Sequence, residues 1–296
     1  DAPIIGAGTF SGGVTEIADL ARDENATALL VANSFAVSDV DLTNAQSVSA
    51  VAVGTNYLGT FTPSVANQTT DDGAGSIAWN FTVADSAVDY LAAGQILTQS
   101  YTVTVTDTAG ASDTETVVIT ITGTNDAPII GAGTFSGGVT EIADLAAGEN
   151  SSNLSVANSF ALSDVDLTDV QSVSALALGS NYLGSFTPSV AEQTTLDGAG
   201  SIAWNFTVAD SAVDYLAAGQ TLTQSYTVTV TDSAGASDTE TVVITITGSN
   251  DAPIIGAGSF TGGVTEITDL AAGENSSDLS VANSFALSDV DLTDVQ

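Results

Sequence analysis

The chain has no cysteine and no histidine, and it has one basic residue, Arg22, against 36 acidic ones. Without cysteine there can be no disulfide and no thiol nucleophile, and without histidine there can be no Ser-His-Asp triad. The same two absences exclude thiolate and imidazole metal sites. The formal net charge of −35 excludes nucleic acid as a partner, because binding to phosphates requires lysine and arginine.

Long apolar runs are also missing. No stretch reaches the roughly 18–20 apolar residues of a transmembrane helix, so we expect no membrane insertion in this segment. The acidic residues are scattered through a sequence that is 44% hydrophobic, which argues for a folded chain. A folded chain this acidic has to be screened by salt or neutralised by bound cations.

An internal repeat dominates what the sequence does contain. The motif Asn-Asp-Ala-Pro at Asn125–Pro128 returns at Asn250–Pro253, and the chain itself begins Asp-Ala-Pro. Residues 1–125 and 126–250 differ at 18 of 125 positions when they are aligned without gaps. We therefore predict three tandem modules, 1–125, 126–250 and a partial third, 251–296.

Each repeat shows alternating apolar residues over short segments rich in Val, Ile, Thr and Tyr, with turn signals between them. This pattern predicts about seven strands per module and an all-β fold of tandem antiparallel β-sandwiches, immunoglobulin-like or cadherin-like. The last two strands should form a hairpin. Trp79 and Trp204 should lie between the sheets, and the only helical turns should fall near 86–91 and 211–216.

The second repeat closely resembles the VCBS repeat in several motifs that occur in the expected order. These are Trp204–Val208, Asp214–Gly219, Leu222–Asp232, Thr247–Pro253 and, in its first half, Asp164–Asp169. The resemblance implies a cadherin-like module of very large bacterial adhesins, exported by type I secretion and ordered by calcium. One departure is that Asp169 and Asp294 correspond to Asn44 in the first repeat, which weakens any ligand role there.

Calcium is the cation that the available side chains favour, because it binds hard oxygen ligands. Asp-Val-Asp places two carboxylates on one side of an extended segment, where they repel each other unless a cation lies between them. No loop has the EF-hand pattern, so we expect a different kind of site. The predicted ligands are Glu16, Asp39, Asp41, Asp85, Asp107, Asn125, Asp126, Glu141, Asp164, Asp166, Asp210, Asp232, Asn250, Asp251, Asp289 and Asp291.

Six of these residues are expected to meet at each joint between modules, by analogy with cadherins. The first joint would use Glu16, Asp85, Asn125, Asp126, Asp164 and Asp166. The second would use Glu141, Asp210, Asn250, Asp251, Asp289 and Asp291. The same acids can also be read as solvated surface, or as sites within single modules.

These observations lead to a non-enzymatic structural array, the extender or stalk of a giant bacterial surface or secreted adhesin, stiffened by calcium. Its partners are expected to be neighbouring repeats of the same chain, with lateral self-association as a further possibility. One alternative is a self-assembling extracellular filament, sheath or surface layer built of the same repeats. Another is a module that itself binds a glycan or a host protein.

Overall fold

A computed structural model describes residues 1–18 and 21–291. The first set of strands lies between Ile4 and Thr122. It comprises β1 (Ile4–Gly8), β2 (Ser11–Thr15), β3 (Ala28–Ser38), β4 (Gln46–Ala52), β5 (Thr60–Asn67), β6 (Ala74–Ala84), β7 (Ile96–Asp107) and β8 (Ser112–Thr122). We call this set module 1.

A second set with the same order lies between Ile129 and Thr247, and we call it module 2. It comprises β9 (Ile129–Gly133), β10 (Ser136–Thr140), β11 (Asn153–Ser163), β12 (Ser172–Ala177), β13 (Ser185–Glu192), β14 (Ala199–Ala209), β15 (Thr221–Thr231) and β16 (Ser237–Thr247). The start of a third set pairs β17 (Ile254–Gly258) with β18 (Phe285–Ser288). The proposed bounds of 1–125, 126–250 and 251–296 stay a prediction.

Each module is a sandwich of two four-stranded sheets. In module 1 the sheets have the orders β1-β3-β6-β5 and β2-β8-β7-β4, and module 2 repeats both orders. The last two strands form the predicted hairpin, with Ile96 opposite Thr122 and Thr106 opposite Ser112. In the described part of the chain the helical content is two 3₁₀ turns, Asp85–Ala87 and Asp210–Ala212. The predicted all-β sandwich of immunoglobulin or cadherin type is confirmed.

The start of each module differs from the prediction. β1 pairs antiparallel with β3, but β2 crosses to the other sheet and pairs in parallel with β8. Only Thr9 and Phe10 separate the two strands, so the chain keeps its direction as it changes sheet. Gly8 permits the crossing, because a Cβ atom there would lie 2.3 Å from the Cα atom of Phe35.

The third strand of each module has a weak signal in the sequence. β11 begins at Asn153 and pairs with β14 without interruption from Asn153 to Ser163. Its outward positions carry small polar residues such as Ser155 and Ser159, which make the alternation of apolar and polar residues harder to recognise in the sequence. Strand pairing across the sheet outweighs this weak local signal.

The core of each module surrounds its tryptophan. Trp204 is 1% exposed, and its indole N–H donates to the carbonyl of Thr134 at 3.0 Å. A Cβ atom on Gly137 would lie 2.8 Å from this ring, so the glycine makes room for it. Trp79 is equally buried in module 1. The inward residues of the terminal hairpin β7–β8 are all fully buried: Val103, Val105, Ile119 and Ile121.

Replacing Trp204 by alanine should therefore lower the free energy of unfolding of module 2 by about 3–5 kcal/mol, because it opens a large cavity and removes the indole hydrogen bond. Urea unfolding followed by circular dichroism measures this loss. Leu196→Ala is the control, since Leu196 is 90% exposed and its truncation should change little. A loss below about 1 kcal/mol for the Trp204 variant would contradict the described core.

Candidate metal centre

Three carboxylates meet where module 1 ends. Oxygens of Glu16, Asp89 and Asp126 all lie within 4.8 Å of one another. Glu16 directly follows β2, Asp89 follows the 3₁₀ turn Asp85–Ala87, and Asp126 lies between β8 and β9. Three segments distant in sequence thus contribute one acid each. We call this group the first joint cluster.

The backbone of the segment between the modules holds Glu16 in place. One carboxylate oxygen, Oε2, accepts hydrogen bonds from the Thr124 backbone N–H at 2.6 Å and from its hydroxyl at 3.0 Å. Just before Thr124, Gly123 passes so close to Leu91 that a Cβ atom would lie 1.9 Å from the Leu91 carbonyl oxygen. The other Glu16 oxygen, Oε1, is buried without a hydrogen-bond partner.

The same segment also contacts module 2. The backbone N–H of Asp126 donates to Oδ2 of Asp166 at 2.8 Å, and the side-chain amide of Asn125 donates to Oδ2 of Asp232 at 3.0 Å. Asp166 is fully buried, and its other oxygen, Oδ1, has no hydrogen-bond partner. The joint therefore gathers buried carboxylates from both modules around residues 124–126.

The raised pKa values of two carboxyl groups indicate that it is unfavourable to ionise all of these acids together without a cation. Burial raises the pKa of Glu16 to about 8; hydrogen bonds from Thr124 oppose the rise, and the charges of Asp126 and Asp166 add to it. Burial, followed by repulsion from Asp126 and Asp164, raises the pKa of Asp166 to about 7. The single arginine, Arg22, is 95% exposed and pairs loosely with Asp23.

The second joint repeats the first. Glu141, Asp214 and Asp251 form a group of the same compactness, which we call the second joint cluster. Oε2 of Glu141 accepts from the backbone N–H of Ser249 at 2.7 Å, and the backbone N–H of Asp251 donates to Asp291 at 2.9 Å. One oxygen on each of four acids is buried without a hydrogen-bond partner: Glu141 Oε1, Asp214 Oδ1, Asp251 Oδ2 and Asp291 Oδ1.

The predicted residues are only partly brought together. Glu16 and Asp126 belong to the first joint cluster, Glu141 and Asp251 to the second, and Asp166 and Asp291 bind the backbone beside them. Sequence reasoning missed Asp89 and Asp214. The available signal was the Asp-x-x-x-Asp spacing of Asp85 and Asp89, which recurs at Asp210 and Asp214.

Asp85 and Asp210, which are also predicted ligands, accept hydrogen bonds from the backbone of a neighbouring loop. They lie outside both three-carboxylate groups, although each is fully buried. The two oxygens of Asp85 accept backbone hydrogen bonds from Ile17 and Asn25, each at 2.9 Å. Asp210 makes the same two bonds in module 2. Both aspartates thus fix the loop that follows β2 or β10.

The remaining predicted ligands lie on the N-terminal faces of the modules or in the segments between them. On module 1, Asp39 accepts from the backbone N–H of Asp41, Asp41 accepts from the N-terminal amine, and Asp107 accepts from the backbone N–H of Ala111. On module 2, Asp164 accepts from the backbone N–H of Asp166. Further along the chain, Asp289 accepts from the backbone N–H of Asp291, and the Asn250 side chain donates to the Asp251 carbonyl. Asp294 lies outside the described residues.

The two joint clusters suit calcium. Calcium takes about six to eight hard oxygens in flexible geometry, and each cluster supplies three carboxylates with further buried oxygens beside them. The orphaned Oε1 atoms of Glu16 and Glu141 are the clearest sign, since a buried oxygen without a donor is costly unless a cation binds it. Smaller magnesium prefers strict octahedral geometry and retains water.

No family model matches the chain, so its resemblance to the VCBS repeat stays a prediction. The search of curated proteins also found no match. None of the described helices is long and apolar enough to cross a membrane.

The chain is distantly similar to several solved structures. Protocadherin gamma B7 domains 1–4 are 15% identical, with a TM-score of 0.36, over 98% of this chain and 60% of that one. Human CDH23 domains 21–23 are 14% identical, with a TM-score of 0.35, over 98% and 81%. The fimbrial adhesin CfaE of Escherichia coli is 10% identical, with a TM-score of 0.39, over 82% and 99%. At TM-scores this low these likenesses carry no argument about this chain, and its own sheet orders define it as an array of tandem β-sandwich modules.

Without metal, the protein should lose stability as the pH rises from about 4.5 to 8. Glu16 binds its proton more tightly in the folded chain than in the unfolded one, because its pKa is raised to about 8. Such a group stabilises the fold at pH values below its pKa in the unfolded chain. This stabilisation is lost as the pH rises through its pKa in the folded chain. The midpoints of urea unfolding, determined in metal-free buffer from pH 4.5 to 8.5, measure how stability changes with pH.

Glu16→Gln combined with Glu141→Gln should make this dependence of stability on pH shallower, since glutamine carries no charge at any of these pH values, while Asp166 retains its own raised pKa. Glu115→Gln is the matched control, because Glu115 is exposed on β8 and should leave the slope unchanged. Stability that rises with pH in the unaltered metal-free chain would contradict the described burial of these carboxylates.

Proposed function

We propose that this chain is a non-enzymatic structural segment, the extender of a large bacterial surface or secreted adhesin, whose modules are held in line by calcium. The observation that carries the proposal is the recurrence at both joints of a three-carboxylate cluster with two buried members and one partly buried member. Each cluster combines acids of one module with an acid of the following segment, which itself binds the next module.

Electrostatic repulsion would make the order of the joint depend on whether a cation is bound. Two unit charges 4 Å apart repel by about 4 kcal/mol at an effective dielectric constant of 20. Three carboxylates this close, with no base among them, favour separation of the segments that carry them. In calcium, Glu16, Asp89 and Asp126 would hold the ion, and its charge would reverse the repulsion. Asp166 would then keep the following backbone against module 2.

Location outside the cell fits the same chemistry. A ligand that binds only the ordered joint stabilises it by RT ln(1 + [L]/Kd), about 2.7 kcal/mol when it is in hundredfold excess over Kd. Extracellular calcium-binding modules commonly have dissociation constants of about 10⁻⁴–10⁻³ M. The adhesin assignment and type I secretion rest on the VCBS resemblance and on the near-identical repeats.

A self-assembling filament is the second candidate. The edge strands β4 and β12 expose apolar residues at equivalent positions: Val51 is 68% exposed and Leu176 is 70% exposed. Exposed edge strands are common sites of contact between chains. Electron microscopy separates the two readings, since a stalk gives isolated thin rods and a filament gives ordered lateral contacts.

Calcium should straighten and stabilise the chain. In calcium, small-angle X-ray scattering should show a longer and straighter rod than in chelator, and the melting temperature should be higher. Glu16→Gln with Asp126→Asn should abolish the straightening of the first joint, because the cluster loses two negative charges. Each module should still fold, since its core is untouched.

The control for this experiment is Asp71→Asn with Glu115→Gln, which removes the same charge from exposed positions of module 1. This control should respond to calcium like the unaltered chain. If shape and melting temperature are the same in calcium and in chelator, the acids are ordinary surface and the calcium-stiffened stalk is wrong.

A further inference from the structure

A threonine hydroxyl is buried without a partner in each module, apart from both joint clusters. In module 1 this residue is Thr69, which lies between β5 and β6. It is fully buried, and its Oγ1 atom makes no hydrogen bond. A hydroxyl can both donate and accept, so a buried one ordinarily finds a partner, and leaving it without one is costly. A hydroxyl in this state is free to act as a nucleophile.

The side-chain amide of Gln46 is bound to the same threonine. Gln46 is buried at the start of β4, and its Oε1 atom accepts a hydrogen bond from the backbone N–H of Thr69 at 3.1 Å. In serine proteases the backbone N–H of the nucleophile likewise donates to the carbonyl oxygen that is attacked. A donor at this place stabilises the negative charge that develops on the oxygen during attack.

A buried carboxylate faces the nitrogen of the same amide. Asp39 follows β3, and its Oδ2 atom accepts a hydrogen bond from Nε2 of Gln46 at 3.1 Å. Its Oδ1 atom is held by the backbone N–H of Asp41 at 2.9 Å. A carboxylate in this position can take a proton from a nucleophile and give it to the departing nitrogen, as a general base and then a general acid.

Gln68 fixes the two segments against each other. Its Oε1 atom accepts from the backbone N–H of Gln46 at 2.7 Å, and its Nε2 atom donates to the carbonyl of Gln46 at 3.0 Å. The threonine and the glutamine amide are therefore held together although they lie 23 positions apart in the chain. Proximity of this kind replaces a bimolecular encounter, and burial excludes the water that would compete with the hydroxyl.

Module 2 carries the same arrangement. Thr194 is fully buried, and its Oγ1 atom also lacks a hydrogen-bond partner. Gln171 accepts from the backbone N–H of Thr194 at 3.4 Å and donates to Oδ2 of Asp164 at 2.8 Å. Gln193 makes the two hydrogen bonds to the backbone of Gln171 that Gln68 makes to Gln46.

We propose that each of these groups forms an ester crosslink within its module, from Thr69 to Gln46 in module 1 and from Thr194 to Gln171 in module 2. The threonine Oγ1 atom forms a bond to the glutamine Cδ atom, the Cδ–Nε2 bond breaks, and ammonia leaves. The hydroxyl proton passes through the aspartate carboxylate to the leaving nitrogen. Nothing is oxidised or reduced, and no other reactant is consumed.

The crosslink gives each module a covalent tie that its composition otherwise denies it. The chain has no cysteine and therefore no disulfide. An ester between these side chains joins the start of β4 to the turn between β5 and β6. Closing a loop in this way restricts the unfolded chain and so stabilises the folded one. The crosslink goes beyond the proposed function and does not depend on calcium.

The test is intact-mass spectrometry of the folded full chain, repeated after prolonged incubation. Each ester lowers the mass by about 17 Da, the mass of the ammonia that is lost, so the unaltered chain should lose two such units. Thr69→Val keeps the shape of the side chain without the hydroxyl and should retain only the loss from module 2. Thr69→Ser keeps a hydroxyl and should show both losses.

Two further variants separate chemistry from structure. Asp39→Asn should abolish the loss from module 1 or slow it, because an amide cannot carry the proton, while circular dichroism should show an unchanged fold. Thr62→Val is the matched control, since Thr62 is exposed on β5 and should leave both losses intact. Peptic digestion of the unaltered chain should release a linked pair of peptides that contain Gln46 and Thr69, and hydroxylamine, which cleaves esters, should separate them.

The outcomes are decisive even if Thr69→Val fails to fold, because the linked peptides are sought in the unaltered chain. The full sequence mass in that folded chain after incubation would overturn the crosslink, and Thr69 and Gln46 would then be only a packed turn. A loss of ammonia without linked peptides would overturn it equally. Because none of these measurements involves calcium, their result is separate from the test of the proposed function.

Discussion

Repulsion between the carboxylates at the joint is the constraint on which the proposed arrangement of the modules depends. Each sandwich has its own apolar core. Among the described residues the joint instead brings Glu16, Asp89 and Asp126 together. We propose that charge at the joint controls the relation between modules, while hydrophobic packing stabilises the modules themselves.

This division explains why so acidic a chain can still be well folded. Most of the acids that the structure describes lie on surfaces or accept backbone hydrogen bonds, as Asp85 does from Ile17 and Asn25. The orphaned oxygens concentrate instead at the ends of modules, on Glu16, Glu141, Asp166, Asp169 and Asp291. Unsatisfied charge is thus confined to the places where an external cation can act on the whole array.

The fold was largely predictable from the sequence, because alternating Val, Ile and Tyr residues mark the central strands and the repeat marks the modules. The crossing from β1 to β2 was not predictable, since it depends on the close approach of Gly8 to Phe35. The sequence predicts that the site consists of acidic side chains, but it does not predict which of these side chains meet. Asp89 enters the cluster because a 3₁₀ turn redirects the chain after Asp85, and the sequence does not show where that turn points.

We propose that a cation lies among Glu16, Asp89 and Asp126. A crystal structure of the chain grown in millimolar calcium, with anomalous scattering data, tests it most directly. The account predicts an anomalous peak coordinated by Glu16 Oε1 and by carboxylate oxygens of Asp89 and Asp126, with an equivalent peak at Glu141, Asp214 and Asp251. Density for water alone, or carboxylates turned apart in calcium, would contradict it.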